Sequence, residues 1–176
     1  MPQEDQLKRY LLKIELKGVH LPIWREVIVP SDINLGDLSQ VIQTAMGWEE
    51  EHLHMFMKDG VRFESMEDSI EEVENPEELV DLDQLLKKPR DSMQYVYDFG
   101  DDWMHTATLK KVLPWDEDAI FVCTDGSGAC PLEDCGGPPR HERACRSGEI
   151  RFPEVFEPNR TNYALAELLD FLRNEE

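Results

Sequence analysis

Four cysteines, Cys123, Cys130, Cys135 and Cys145, crowd into one short stretch of a chain that has no others. Thiolates, with imidazoles, are the ligands that tetrahedral zinc prefers. The spacing is C-x6-C-x4-C-x9-C and lacks the paired C-x2-C knuckles of common zinc modules, so two readings stand side by side. One is a zinc-stapled loop and the other a tight turn carrying reduced, inert thiols. Gly126, Gly128, Gly136 and Gly137 serve either, because wrapping a metal and turning sharply both need glycine.

Three histidines form a second constellation. His52 and His54 stand two apart in a segment that reads as a strand, which puts both on one face, and His105 follows Trp103 by two residues on another strand. With Asp98, Asp101 or Asp102 as orienting carboxylates they could hold a metal or form an acid/base pair, with His54, His105, Asp98 and Asp101 as the catalytic candidates. The alternative is plainer: the imidazoles complete hydrogen bonds, and the aspartates shape the turn Phe99-Gly100-Asp101-Asp102. The sequence has no Walker-type phosphate loop, dinucleotide fingerprint, H-E-x-x-H zinc helix or nucleophile elbow.

The elements that must position these residues follow from periodicity. Tyr10, Leu12, Ile14 and Leu16 alternate with Lys13 and Glu15, a strand with one buried face, and residues 23–29 read as its hairpin partner, ended by Pro30. Asn34 looks like an N-cap with Asp37 reaching back, Leu35, Leu38, Val41, Ile42 and Ala45 share a helical face, and Gly47 closes the helix. Asp59-Gly60 turns a second hairpin, residues 64–78 read as an exposed acidic connection, and a short leucine helix stops at Pro89. A third strand pair surrounds residues 99–102, residues 114–140 read as a Gly/Pro/Cys-rich loop, and an apolar stripe from about Asn162 predicts a terminal helix. Trp24, Trp48 and Trp103 read as core.

The expected fold is α+β: a mostly antiparallel sheet of hairpins with a packed helix in the order ββαββαββ, β-grasp-like by analogy. One domain spans 1–176, with a sheet and helix core over 8–113, the loop over 114–140 and a helical extension over 141–176. Composition agrees: 40% hydrophobic and 32% charged residues suit a globular chain. No apolar run reaches membrane-spanning length, and the acidic, polar start has no secretory character, which predicts a cytoplasmic protein. With 38 acidic against 18 basic residues the net charge of −20 opposes nucleic acid and suits a basic partner or cations, or is simply solvated surface. Arg140, Arg143, Arg146 and Arg151 with His141 make the one basic stretch and are expected to pair with the protein's own acids.

Three strings resemble the plasmid pRiA4b ORF-3-like family, also labelled insertion-element passenger proteins. They are Met46-Gly47-Trp48 with His52-Leu53-His54-Met55-Phe56; Tyr95-Val96-Tyr97-Asp98-Phe99-Gly100-Asp101-Asp102-Trp103-Met104-His105; and Ala129-Cys130-Pro131-Leu132-Glu133-Asp134-Cys135-Gly136-Gly137-Pro138. With residues 10–24 the similarity covers most of 8–138. The resemblance implies a shared α+β fold and a mobile-element context, and brings no agreed activity. The leading expectation is a non-enzymatic protein-interaction module whose Cys-rich loop zinc would staple, offering its acidic surface to an unidentified protein partner. The alternative is a metal-dependent, hydrolase-like enzyme built on the His/Asp cluster. A nucleic-acid role, suggested only by the mobile-element context, comes third.

Overall fold

A computed structural model describes residues 7–175 of the chain; the acidic N-terminal residues 1–5, read above as arguing against export, lie outside them. Seven strands form one sheet: β1 (Lys8–Leu16), β2 (Trp24–Pro30), β3 (His54–Lys58), β4 (Val61–Phe63), β5 (Ser92–Tyr97), β6 (Trp103–Pro114) and β7 (Val122–Ser127). Their spatial order is β4-β3-β5-β6-β1-β2-β7, and every named pair is antiparallel. The helices are α1 (Leu35–Met46), the single turn α2 (Leu82–Leu85), α3 (Gly137–Ser147) and α4 (Pro158–Glu175). The fold is α+β as expected.

Residues directly opposite in an antiparallel pair share a face. Register therefore sets Phe63, Phe56, Tyr95, His105 and Leu16 in one buried row across five strands, with His54, Tyr97 and Trp103 in the next. Helix α1 contributes Leu35, Leu38, Val41, Ile42 and Ala45 to the same core. Its cap forms at the predicted residue: Asn34 Oδ1 accepts from the Asp37 N–H at 2.9 Å, and the Asp37 carboxylate accepts from the Asn34 side-chain amide, also at 2.9 Å. Gly47 ends the helix with φ 114°, a left-handed conformation that favours glycine.

Two features depart from the sequence reading. The stretch 114–140 is not a loop throughout: its middle adds β7 to the sheet edge, and α3 begins at Gly137. Asn162 of α4 pairs with this edge, its Oδ1 accepting from Cys123 N–H at 2.7 Å and its Nδ2 donating to Cys123 C=O at 3.0 Å. Trp24 lies half-buried on the other sheet face under the Lys13 ammonium, and the core position beside it belongs to Arg25, 3% exposed. Its guanidinium donates to the carbonyls of Trp24, Ala45, Ser127 and Gly128 at 2.8–2.9 Å, closing the C-terminal end of α1 with a cation that the helix dipole favours. Among the described residues no helix is long and apolar enough to cross a membrane.

Candidate metal centre

The structure sends the three histidines to three different tasks. His105 is wholly buried; its Nε2 accepts from the Trp48 indole N–H at 3.4 Å and its Nδ1–H donates to the Tyr95 carbonyl at 3.3 Å. Both ring nitrogens are thus engaged, and burial pulls its pKa down to about 4, so it stays neutral at physiological pH. His54 packs on the Tyr95 ring and pairs through Nε2 with Glu77 Oε1 at 2.8 Å. Glu77 is brought there by a 3-10 turn, Glu77–Leu79, and burial raises its carboxyl pKa while the His54 hydrogen bond opposes the rise. Among the described residues neither His54 nor His105 belongs to a group of three metal-ligand atoms lying within 4.8 Å of one another.

His52 does. It lies ahead of β3, in the connection that follows α1, rather than on the strand itself. Around its Nε2 stand Asp134 Oδ1 at 2.9 Å, Asp98 Oδ2 at 3.6 Å and Glu133 Oε2 at 3.7 Å. The ligand atoms form two overlapping triads that share the imidazole, Glu51-His52-Glu133 and His52-Asp98-Asp134.

Two of these carboxylates are held by one oxygen and left open at the other. Asp98, at the end of β5 with φ 62°, accepts the Gly100 and Asp101 N–H groups on Oδ1 and turns Oδ2 to His52. Glu133 accepts the Tyr97 hydroxyl and the Glu49 N–H on Oε1, each at 2.9 Å, leaving Oε2 toward His52. The Glu133 charge also helps hold the Tyr97 phenol pKa above its ordinary value, after the larger effect of burial. Asp134 comes close to His52 Nε2 but off the line along which the ring N–H could donate. Both His52 Nε2 and Glu133 Oε2 are consequently shielded from water and without a hydrogen bond.

Ligands each about 2.1 Å from a tetrahedral ion stand roughly 3.4 Å apart; the Asp98 and Glu133 oxygens lie a little farther than that from His52 Nε2, at 3.6 and 3.7 Å, and the Asp134 oxygen lies nearer, at 2.9 Å. An imidazole nitrogen facing several carboxylate oxygens calls for positive charge between them. A divalent transition metal supplies it while accepting both donor types.

The other candidates have structural duties. Asp101 Oδ2 accepts the Gly136 N–H at 3.0 Å, and its carbonyl lies where a side chain on Gly137 would sit, so the 98–102 corner docks the start of α3. Among the described residues no cysteine sulfur belongs to a group of three ligand atoms within 4.8 Å. Cys123 Sγ contacts the Asp125 carbonyl, Cys130 packs against Gly47, and Cys145 lies 3.5 Å from His141 Nε2 on α3. Burial raises the pKa of all four thiols, which keeps them protonated rather than nucleophilic. Glu51 belongs to the acidic run 49–51, whose sequence suggests a basic partner, divalent cations or simply solvated surface, whereas nothing in the sequence marks Glu133 and Asp134 as ligands. Glu133-Asp134 sits between Cys130 and Cys135, where the thiols drew attention from the acids.

Two cavities flank the centre. The larger, about 1040 Å³, is walled by Arg25, Trp48, Cys130, Phe156 and Arg160 and borders Glu133. The smaller, about 610 Å³, lies between α1, the 64–78 connection and the end of α4, and borders Glu51 and His52.

The family model for plasmid pRiA4b ORF-3-like proteins matches residues 8–153. An uncharacterized protein, y4hQ, from Sinorhizobium fredii (strain NBRC 101917 / NGR234) is 32% identical over 142 residues, covering 77% of this chain and 71% of the relative. The crystal structure of a protein of unknown function, MM3350 from Methanosarcina mazei Go1, is similar with a TM-score of 0.73 and 29% identity. The similarity covers 87% of this chain and 97% of that one.

Proposed function

The chain belongs to the plasmid pRiA4b ORF-3-like protein family, and because the relatives compared carry no assigned activity, we propose from the geometry that it binds a divalent transition-metal ion at His52. The observation that supports this most is the pair of water-shielded, unbonded atoms, His52 Nε2 and Glu133 Oε2, 3.7 Å apart with two more carboxylates beside them. Polar atoms in that condition are costly unless something pairs with them.

Through the triad His52-Asp98-Asp134 the ion joins three segments distant in sequence: the α1–β3 connection, the end of β5, and the Cys-rich segment. Its role on this reading is to set the wall of the larger cavity, which makes the protein a metal-organised binding module. With three protein ligands the ion also keeps a position open for water, the arrangement that hydrolytic metal enzymes use. The raised thiol pKa values and the absence of a nucleophile motif favour the binding module over covalent catalysis.

The test is calorimetric titration of metal-free protein with Zn²⁺ and Mn²⁺, alongside His52→Ala and Asp98→Asn. One site per chain that either substitution weakens at least tenfold is expected. Binding that survives both substitutions would place the metal elsewhere and overturn the reading.

A further inference from the structure

The larger cavity, about 1040 Å³, is of a size that takes small organic molecules. Met46, Trp48 and Phe156 give it apolar walls, and three of the chain's exposed apolar side chains, Leu132, Phe152 and Val155, line it as well. Apolar groups gathered at one hollow, rather than scattered singly over a surface, mark a place where an apolar body is buried.

The cations of this cavity are uncommitted. Among the described residues Arg151 and Arg160 form no ion pair or hydrogen bond, although the chain carries a net charge of −20 and Arg146 of the same basic stretch does pair, with Glu142. Arg25, the third arginine of the lining, is 3% exposed and donates only to carbonyls, so no carboxylate neutralises its buried charge. A buried charge without a counter-ion is costly. The Arg25 guanidinium stands 4.2 Å from the centre of the Phe156 ring, and Phe156 leads into α4. The first turn of that helix supplies Arg160 together with N–H groups that have no acceptor within the helix, and its dipole adds to the positive charge there.

Three carboxylates also touch the cavity. Glu133 is committed to Tyr97 and the His52 centre, while Glu49 and Glu157 are exposed, where water and salt screen them. The buried Arg25 charge is screened far less, which leaves the balance in favour of an anion.

We propose that this cavity binds a small organic acid, an apolar body that packs on Trp48 and Phe156 and carries one anionic group met by Arg160 and the start of α4. The proposal deepens the binding-module reading and rests on it for the role of the cavity, but none of the three arginines is a ligand of the metal centre.

The experiment is fluorescence titration of the full-length protein, metal-free and Zn²⁺-loaded, with 1-anilinonaphthalene-8-sulfonate and with N-phenyl-1-naphthylamine, the same skeleton without the sulfonate. One saturable site per chain is expected, with the sulfonate bound about tenfold more tightly than the neutral probe. Arg160→Gln should lose that preference, Phe152→Ser should weaken both probes alike, and Arg143→Gln, exposed on α3 and outside the cavity, should bind as the parent does. Arg160 and Phe152 are exposed, so neither substitution disturbs the core. Absence of a saturable site in both forms, equal affinity for the two probes, or a preference that survives Arg160→Gln would each overturn the proposal. Calorimetric Zn²⁺ titration of the same samples reads the metal centre separately, so either idea can fail without the other.

Discussion

The indole N–H of Trp48 points at Nε2 of His105, 3.4 Å away, in the middle of the sheet's aromatic face. That bond needs a neutral imidazole, because a proton on Nε2 would set two donors against each other. Burial holds the His105 pKa at about 4, against 6.5 for an exposed histidine. Between those values the unfolded chain binds a proton that the folded chain refuses. Stability is therefore present above pH 6.5 and is lost as pH falls toward 4, by on the order of 3 kcal/mol in total at about 1.4 kcal/mol per unit. Urea midpoints at pH 7 and pH 4.5 should show the drop, and His105→Gln should flatten it even if it lowers the midpoint at both.

Arg25 is predicted to resist conservative replacement. Lysine keeps the charge but has no planar fork to reach Ala45, Ser127 and Gly128 at once. Arg25→Lys should destabilise the protein by about 3 kcal/mol, measured by chemical denaturation, through the carbonyls left unpaired.

Tyr97 positions residues of the proposed metal centre without being a ligand itself. Its hydroxyl donates to Glu133 and accepts the Glu51 N–H at 3.2 Å, so it positions one ligand and steadies the connection carrying another. Tyr97→Phe should weaken Zn²⁺ binding about tenfold to a hundredfold, as loss of groups that orient metal ligands does elsewhere, with little change in metal-free stability. Calorimetry and thermal unfolding of the same samples separate the two effects.

Cys130→Ser and Cys135→Ser distinguish the His52 centre from a thiolate site. Both variants should keep the Zn²⁺ affinity of the parent. Zn²⁺ at a hundred times its dissociation constant should raise their stability by about 2.7 kcal/mol, as for the parent, read from thermal unfolding with and without metal.

Much of the frame was legible because local rules and global packing agree there. The alternation of Tyr10, Leu12, Ile14 and Leu16, the Asn34 cap and the Gly47 stop each describe the element that forms. Strand β7 was hidden because Thr124, Asp125 and Gly126 carry turn chemistry, and only pairing with β2 makes them a strand. Arg25 was hidden by its type, although its place in the alternation Ile23, Arg25, Val27, Val29 marks it as buried. For the centre, His52 and Asp98 stood out as residue types that bind metals. Their convergence with Glu133 and Asp134 depends on how the chain beyond β7 returns over the end of the sheet, which no local spacing records.

The Asn162 amide meets the backbone of Cys123 as a neighbouring peptide group would, donor to acceptor and acceptor to donor. It is in effect a strand one residue long, and it occupies the position on β7 where another chain's backbone would begin to add. The outermost strand is thereby a terminus rather than a template. At this edge of the sheet the helix that completes the core also blocks pairing with another strand, a hazard that any open antiparallel sheet must meet.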